Sequence, residues 1–224
     1  MKTSKDGHIA FYPETHEYFD IYGTKFKSVT TVLKKFFPFE AREISEEVRQ
    51  IPSSIYFGRD AQDIRAEWVR TAPVGTALHE ACEEWINTGS FPDDERRPGV
   101  QNFADFFGPT RRESLQSELV VYDAGLQMAG MLDILEDAGE FLDLWDIKTS
   151  RKIDDMKLLQ YSMQLELYRR FAERNFGRPV RTRGIVWFEG YLRNPEAFPR
   201  FLKPIECQRE VNALIESRKK EIRA

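Results

Sequence analysis

The chain has 224 residues, 41% of them hydrophobic and 31% charged, with a formal net charge of −4. That length builds one domain with a substantial core and leaves two separate cores cramped. The acidic balance excludes a protein that coats nucleic acid by bulk charge, so any nucleic-acid site must be a local basic patch.

Residues 8–32 read as extended structure in three pieces: His-Ile-Ala-Phe-Tyr, Glu-Tyr-Phe-Asp-Ile-Tyr-Gly, and a Ser-Val-Thr-Thr-Val run rich in β-branched residues. Turn chemistry at Pro13 to Thr15 and at Gly23-Thr24 separates them. Helical spacing sets in at Thr31 and runs to Pro38. Residues 40–72 read as helical in parts, broken at Ile51-Pro52 and around Gly58, and are expected to form a lid or arch. A helix is predicted over 74–88, with Val74, Ala77, Leu78, Ala81, Cys82, Trp85 and Ile86 on one stripe and Gly89 placed to end it. An exposed loop at 93–99 and a short helix around 100–107 follow.

Three consecutive strands come next, Leu115 to Tyr122, Leu126 to Leu135 and Glu140 to Lys148, with turns at Asp123 to Gly125 and Asp137 to Gly139. A long amphipathic helix over 154–175 is closed by Gly177 and Pro179. A strand at 181–190, an extended piece near 198–204 and a charged helix from about 206 complete the chain. The fold class expected is α/β, a central mixed sheet flanked by helices in one domain over 1–224. Within it, 1–72 form a β-hairpin and lid region, 73–190 the core, and 191–224 a C-terminal strand and helix.

Two cysteines, Cys82 and Cys207, exclude an all-cysteine iron–sulfur or zinc site in one chain. They point to a reduced, intracellular protein. Met1 to Ile9 is polar, and no apolar run approaches the roughly 20 residues that cross a bilayer. A soluble, cytoplasmic protein with no membrane partner is expected.

Asp146 and Lys148 lie two apart on a predicted strand, so their side chains leave the same face. Counted outward from the turn at Asp137 to Gly139, Asp133 on the preceding strand falls at comparable depth. Two carboxylates and a lysine on one patch find a purpose in a divalent cation, and carboxylate oxygens suit Mg2+ or Mn2+. Such a centre fits a phosphodiester reaction, with Lys148 positioning water or stabilising the developing charge. Taken singly, an Asp-x-Lys pair is more often a surface ion pair, and a helical histidine such as His79 is more often structural. Glu118 on an earlier strand, and Gln164 with Tyr168 on one face of the long helix, add to the set.

The order Gly-Thr-x-x-His, Glu118, Gly-x-x-Asp, Asp-x-Lys-Thr and Gln-x-x-x-Tyr resembles the RecB-like branch of the PD-(D/E)XK nucleases, over about residues 75–168. His16-Glu17-Tyr18 followed by Ser28 to Leu33 is also similar to phage-type exonucleases and mitochondrial genome maintenance exonucleases. The resemblance implies a restriction-endonuclease-like core. It implies that His79, Asp133, Asp146 and the backbone carbonyl of Ile147 ligate the metal and that Lys148 is the catalytic lysine. Glu118 would act through water or a second metal, and Gln164 and Tyr168 would face the site and contact DNA. The four-cysteine iron–sulfur cluster of some relatives is excluded.

From Lys148 to Arg183 there are ten basic and four acidic residues. Thr149, Arg151 and Lys152 directly follow the Asp146–Lys148 strand, and Arg169, Arg170, Arg174, Arg178, Arg181 and Arg183 cluster further on as a candidate phosphate track. Arginines in the lid region and aromatic pairs such as Tyr56-Phe57 suit an unpaired strand. The function expected is a metal-dependent DNA exonuclease acting on single-stranded or free ends, in replication, recombination or repair, beside a helicase or recombinase. An endonuclease of the same superfamily and a catalytically silent DNA-binding module are the alternatives.

Overall fold

In the computed structural model, which describes residues 1–223, four short strands open the chain: β1 (Lys2–Thr3), β2 (Ile9–Tyr12), β3 (Glu17–Asp20) and β4 (Lys25–Ser28). They pair as an antiparallel meander whose Ile9, Phe11, Tyr18 and Phe26 pack on Val120 and Ala129. The Ser-Val-Thr-Thr-Val run, expected as strand, turns into a helix at its second residue, α1 (Val29–Leu33). Ser28 is the reason: its side-chain oxygen accepts a hydrogen bond from the Thr31 N–H at 3.0 Å. That N-cap, with Val29, Val32 and Leu33 buried, outweighs the strand preference of β-branched residues.

α2 (Ala41–Val48) and the first half of α3 (Ala61–Thr88) occupy the region expected as a lid. The helix expected at 74–88 is the second half of this 28-residue helix. Asp60 caps it, accepting from the Gln62 N–H at 2.7 Å and the Asp63 N–H at 3.3 Å. Pro73, just before the expected start, lies inside the helix. An interior proline costs about 3 kcal/mol, so the cap and the burial of Ala61 and Ile64 hold the first half in place. α4 (Arg97–Phe107) also begins earlier than expected, with Pro98 in its first turn, where no intrahelical N–H is needed.

The core sheet follows: β5 (Leu115–Asp123), β6 (Met128–Ala138) and β7 (Phe141–Lys148) run antiparallel. After α5 (Asp155–Phe176), β8 (Val180–Trp187) joins β7 in parallel, β9 (Arg200–Leu202) pairs with β8, and α6 (Gln208–Arg223) ends the described chain. Leu78 and Trp85 of α3, with Phe103 and Phe107 of α4, cover one sheet face at Ile134, Trp145 and Val186. α1, α5 and α6 cover the other, packing on Leu132, Leu144 and Ile185. The mixed sheet flanked by helices is as expected. No helix among the described residues is long and apolar enough to cross a membrane.

Candidate active site

Pairing between β6 and β7 stops at Ile134 opposite Trp145, one step before Asp133 and Asp146. β5 covers one edge of β6, so β4 and β7 share the other: β4 takes Met128 and Ala129, and β7 takes Ile134 to Ala138. Residues 130–133 have no strand partner on that shared edge, and the sheet opens there. Asp133 stands at the opening. Its Oδ2 accepts a hydrogen bond from the Ile147 N–H at 2.7 Å, so a side chain satisfies a donor that the ladder leaves unpaired.

On β7, Asp146 is 1% exposed and Lys148 stands beside it, with Nζ 2.6 Å from Asp146 Oδ2 and 4.9 Å from the Tyr161 ring centroid. The contact with Oδ2 is Coulombic rather than directional, because that oxygen has no donor in hydrogen-bond geometry. Asp146 Oδ1 accepts from Gln164 Nε2 at 3.0 Å. From α3, His79 brings Nδ1 to 3.7 Å from Asp133 Oδ2. His79, Glu83, Glu118, Asp133 and Ile147 line a small recess at this point. Five elements, α3, β5, β6, β7 and α5, thus meet at one corner of the sheet.

Burial raises the Asp146 carboxyl to about 6 against the pull of Lys148, and the charge of Asp133 adds to the rise. Asp133 is also raised, by burial first and by the charge of Glu118. Burial, helped by the Lys148 charge, lowers His79 to about 4 and leaves its imidazole neutral near pH 7. Burial opposes the charge on Lys148, but Asp146 and Asp133 outweigh it and hold the ammonium above its ordinary range. Two desolvated carboxylates, one with an oxygen lacking a directed donor, and a neutral imidazole fit a hard divalent cation. Among the described residues no three His, Cys, Asp or Glu side chains are gathered closely enough to cage a metal by themselves. Mg2+ does not require such a cage: one or two carboxylates bind it, and water or substrate oxygens fill the remaining positions.

Two glycines allow this packing. At Gly75 a Cβ would meet Thr149 Oγ1 at 2.5 Å, and at Gly130 it would overlap the Tyr168 ring. α3 therefore approaches the end of β7, and α5 approaches β6, only because these positions lack a side chain. Gln164 and Tyr168 lie on the buried face of α5, among the carboxylates rather than on open surface. Arg151 and Lys152 are exposed, and the Arg151 guanidinium lies 5.7 Å from the ring centroid of Tyr56, in the segment between α2 and α3. Tyr56 is in turn fixed by the Trp68 indole, whose Nε1 donates to its hydroxyl at 3.0 Å. The lid region thus meets the loop that follows β7.

Each of the six arginines from 169 to 183, expected as a candidate phosphate track, has a carboxylate partner in the fold. Arg169, Arg170 and Arg183 converge on the buried Glu166, while Arg174 pairs with Asp123, Arg178 with Asp137 and Arg181 with Asp143. Acids from β5, β6, β7 and α5 neutralise a cluster that looked like unbalanced charge when read along the chain. Sequence reasoning missed Tyr161, Glu83 and Lys2. Tyr161 was within reach, since it stands one helical turn before Gln164. Lys2, which contacts both Glu83 and Glu118, lies 116 positions from Glu118 and carries no local signal.

A family model for the PD-(D/E)XK nuclease superfamily matches residues 58–223, a span that begins just before α3 and runs through α6. A search of curated proteins gives no significant match. The matched span includes His79, Glu118, Asp133, Asp146 and Lys148, and the mixed sheet with helices on both faces agrees with a restriction-endonuclease-like core. By this match over most of its length, the chain belongs to the PD-(D/E)XK nuclease superfamily, whose members are typically metal-dependent nucleases.

Proposed function

We propose that the chain is a metal-dependent DNA exonuclease of the RecB-like branch, acting at DNA ends with single strands preferred, in replication, recombination or repair. The observation that carries this reading is the meeting of His79, Asp133, Asp146 and Lys148 at the one place where β6 lacks a partner on its β7 edge. His79, Asp133, Asp146 and the Ile147 carbonyl would hold Mg2+ or Mn2+. When bound, such an ion polarises a phosphoryl oxygen and lowers the pKa of water.

The chain's own groups do the rest. Gln164 fixes one oxygen of Asp146 and leaves the other free of directed donors. Lys148, between Asp146 and the Tyr161 ring, offers a preorganised positive charge where negative charge builds on the phosphoryl oxygens. Thr149, Arg151 and Lys152 hold the flanking phosphates, and Glu118 orders water at the recess. The preference for an unpaired end rests on the lid, where Tyr56 meets Arg151 and Phe57 is exposed, a surface suited to stacking bases. A helicase or recombinase that delivers such ends is the partner this activity calls for.

The test uses DNA labelled at either end, single- and double-stranded, and a sealed circle, each with Mg2+, Mn2+ or chelator. Cleavage should need the metal, vanish in Lys148→Ala and spare the circle. A cut circle favours an endonuclease. Binding without cleavage under every condition supports a silent DNA-binding module instead.

A further inference from the structure

Glu118 and Glu83 line the recess, yet an amino group from another part of the fold already engages their carboxylates. Lys2 Nζ lies 2.6 Å from Glu83 Oε1 and also donates to Glu118 Oε2. The acids come from α3 and β5 and the lysine from β1, so three elements build this contact.

Lys2 is not a loose surface lysine. It pairs with Phe11 in the β1–β2 ladder, and Ser4, two residues on, is buried and bridges in parallel to Val120 of β5. The Ser4 hydroxyl accepts from the Ile9 N–H at 2.9 Å. Glu118 lies two residues before Val120 just as Lys2 lies two before Ser4, so the bridge sets the two side chains at one level. Glu118 has φ +48° and drops out of the β5–β6 ladder between Ser117 opposite Ile134 and Leu119 opposite Leu132. A glutamate persists in that conformation only where its surroundings hold it, and in it the Glu118 carboxylate meets Lys2.

An ammonium between two carboxylates takes the place and part of the charge that a second divalent ion would bring. We propose that Lys2 is a built-in cation at Glu118 and Glu83 that keeps this side of the recess from taking a second divalent ion, so that the cleft binds one, at His79, Asp133 and Asp146. The inference rests on the nuclease reading above. Once Lys2 is gone, two uncompensated carboxylates stand beside Asp133, and their charge recruits another ion.

The experiment counts Mn2+ bound to the full chain, by calorimetric titration and by loss of the free-ion electron paramagnetic resonance signal. One ion is expected on the wild type and on Lys2→Arg, two on Lys2→Met, and one again on Lys2→Met/Glu118→Gln. A wild type that binds two ions, or a Lys2→Met variant of native circular dichroism that binds one, overturns the inference and leaves the nuclease reading standing. Glu118→Gln with Lys2 in place is a second arm that does not depend on the folding of Lys2→Met. It should still bind one ion, and losing an ion would make Glu118 a ligand and overturn the inference. No Mn2+ on any of these proteins, together with uncut DNA, overturns the nuclease reading itself, and the inference falls with it.

Discussion

Asp146 and His79 carry opposite pH dependences in the metal-free protein. The Asp146 carboxyl is held at about 6, above its ordinary 3.8, so the folded chain binds that proton more tightly than the unfolded chain does. Its contribution to stability is full below 3.8 and is lost as the pH rises through about 6. His79 is held at about 4, below its ordinary 6.5, so the fold resists its protonation and loses stability as the pH falls from 6.5 toward 4. Each shift is worth on the order of 3 kcal/mol, and the two slopes oppose each other. The joint contribution of these two groups in the chelator-treated protein should therefore change little between about pH 4 and 6, and each single variant should uncover the slope of the group it keeps relative to wild type. Relative to wild type, Asp146→Asn, which keeps His79, should weaken on acidification, and His79→Gln, which keeps Asp146, should weaken as the pH rises. Denaturant titrations across that range check this, and parallel slopes in the two variants would refute the assignment.

Two close approaches decide how the elements fit together, and they differ in kind. At Gly130 a Cβ would overlap the ring of Tyr168, which is buried and cannot swing away. Overpacking of this sort costs about 1–3 kcal/mol, so Gly130→Ala should unfold at lower urea, and Gly130→Ala/Tyr168→Ala should lose less than the sum of the two single changes. At Gly75 the Cβ would meet the Thr149 hydroxyl, a group that can rotate aside. Gly75→Ala should cost less stability than Gly130→Ala but move the residue next to Lys148. Its signature is a fall in cleavage rate larger than the urea midpoint explains, and an unchanged rate would show that the contact does not position the end of β7.

Across the molecule, a net charge of −4 coexists with two exposed basic side chains, Arg151 and Lys152, beside the candidate site. The arginines at the far end of α5 and on β8 are held by acids, whereas Arg151 and Lys152 are exposed with no ion-pair partner among the described residues. Phosphate contacts release counterions, and each lost contact lowers the slope of log affinity against log salt by about 0.7 for single strands. Arg151→Ala and Lys152→Ala should each flatten that slope by this amount, while Arg174→Ala and Arg178→Ala leave it unchanged. Fluorescence anisotropy of labelled oligonucleotides over a salt series measures it. The reverse pattern would put the DNA at the other end of the sheet.

The sequence alone determined what is local. Strand and helix periods, turn residues and caps marked β5, β6, β7 and α5 closely, because periods of 2 and 3.6 residues are written in neighbouring positions. Counting from the turn at Asp137 to Gly139 was enough to bring Asp133 level with Asp146, and alternation put Lys148 on the Asp146 face. Local signals misled where a cap or burial overrode propensity, as at Ser28 and in the first half of α3. Only the tertiary structure decided which charges neutralise one another and which groups are desolvated. The pairing of the arginines, the placing of His79 beside Asp133, and the reach of Lys2 to Glu118 join residues that sequence separation hides. Charge compensation and burial depend on distance in space, and the chain acquires those distances only when the sheet has closed and the helices have packed on both of its faces.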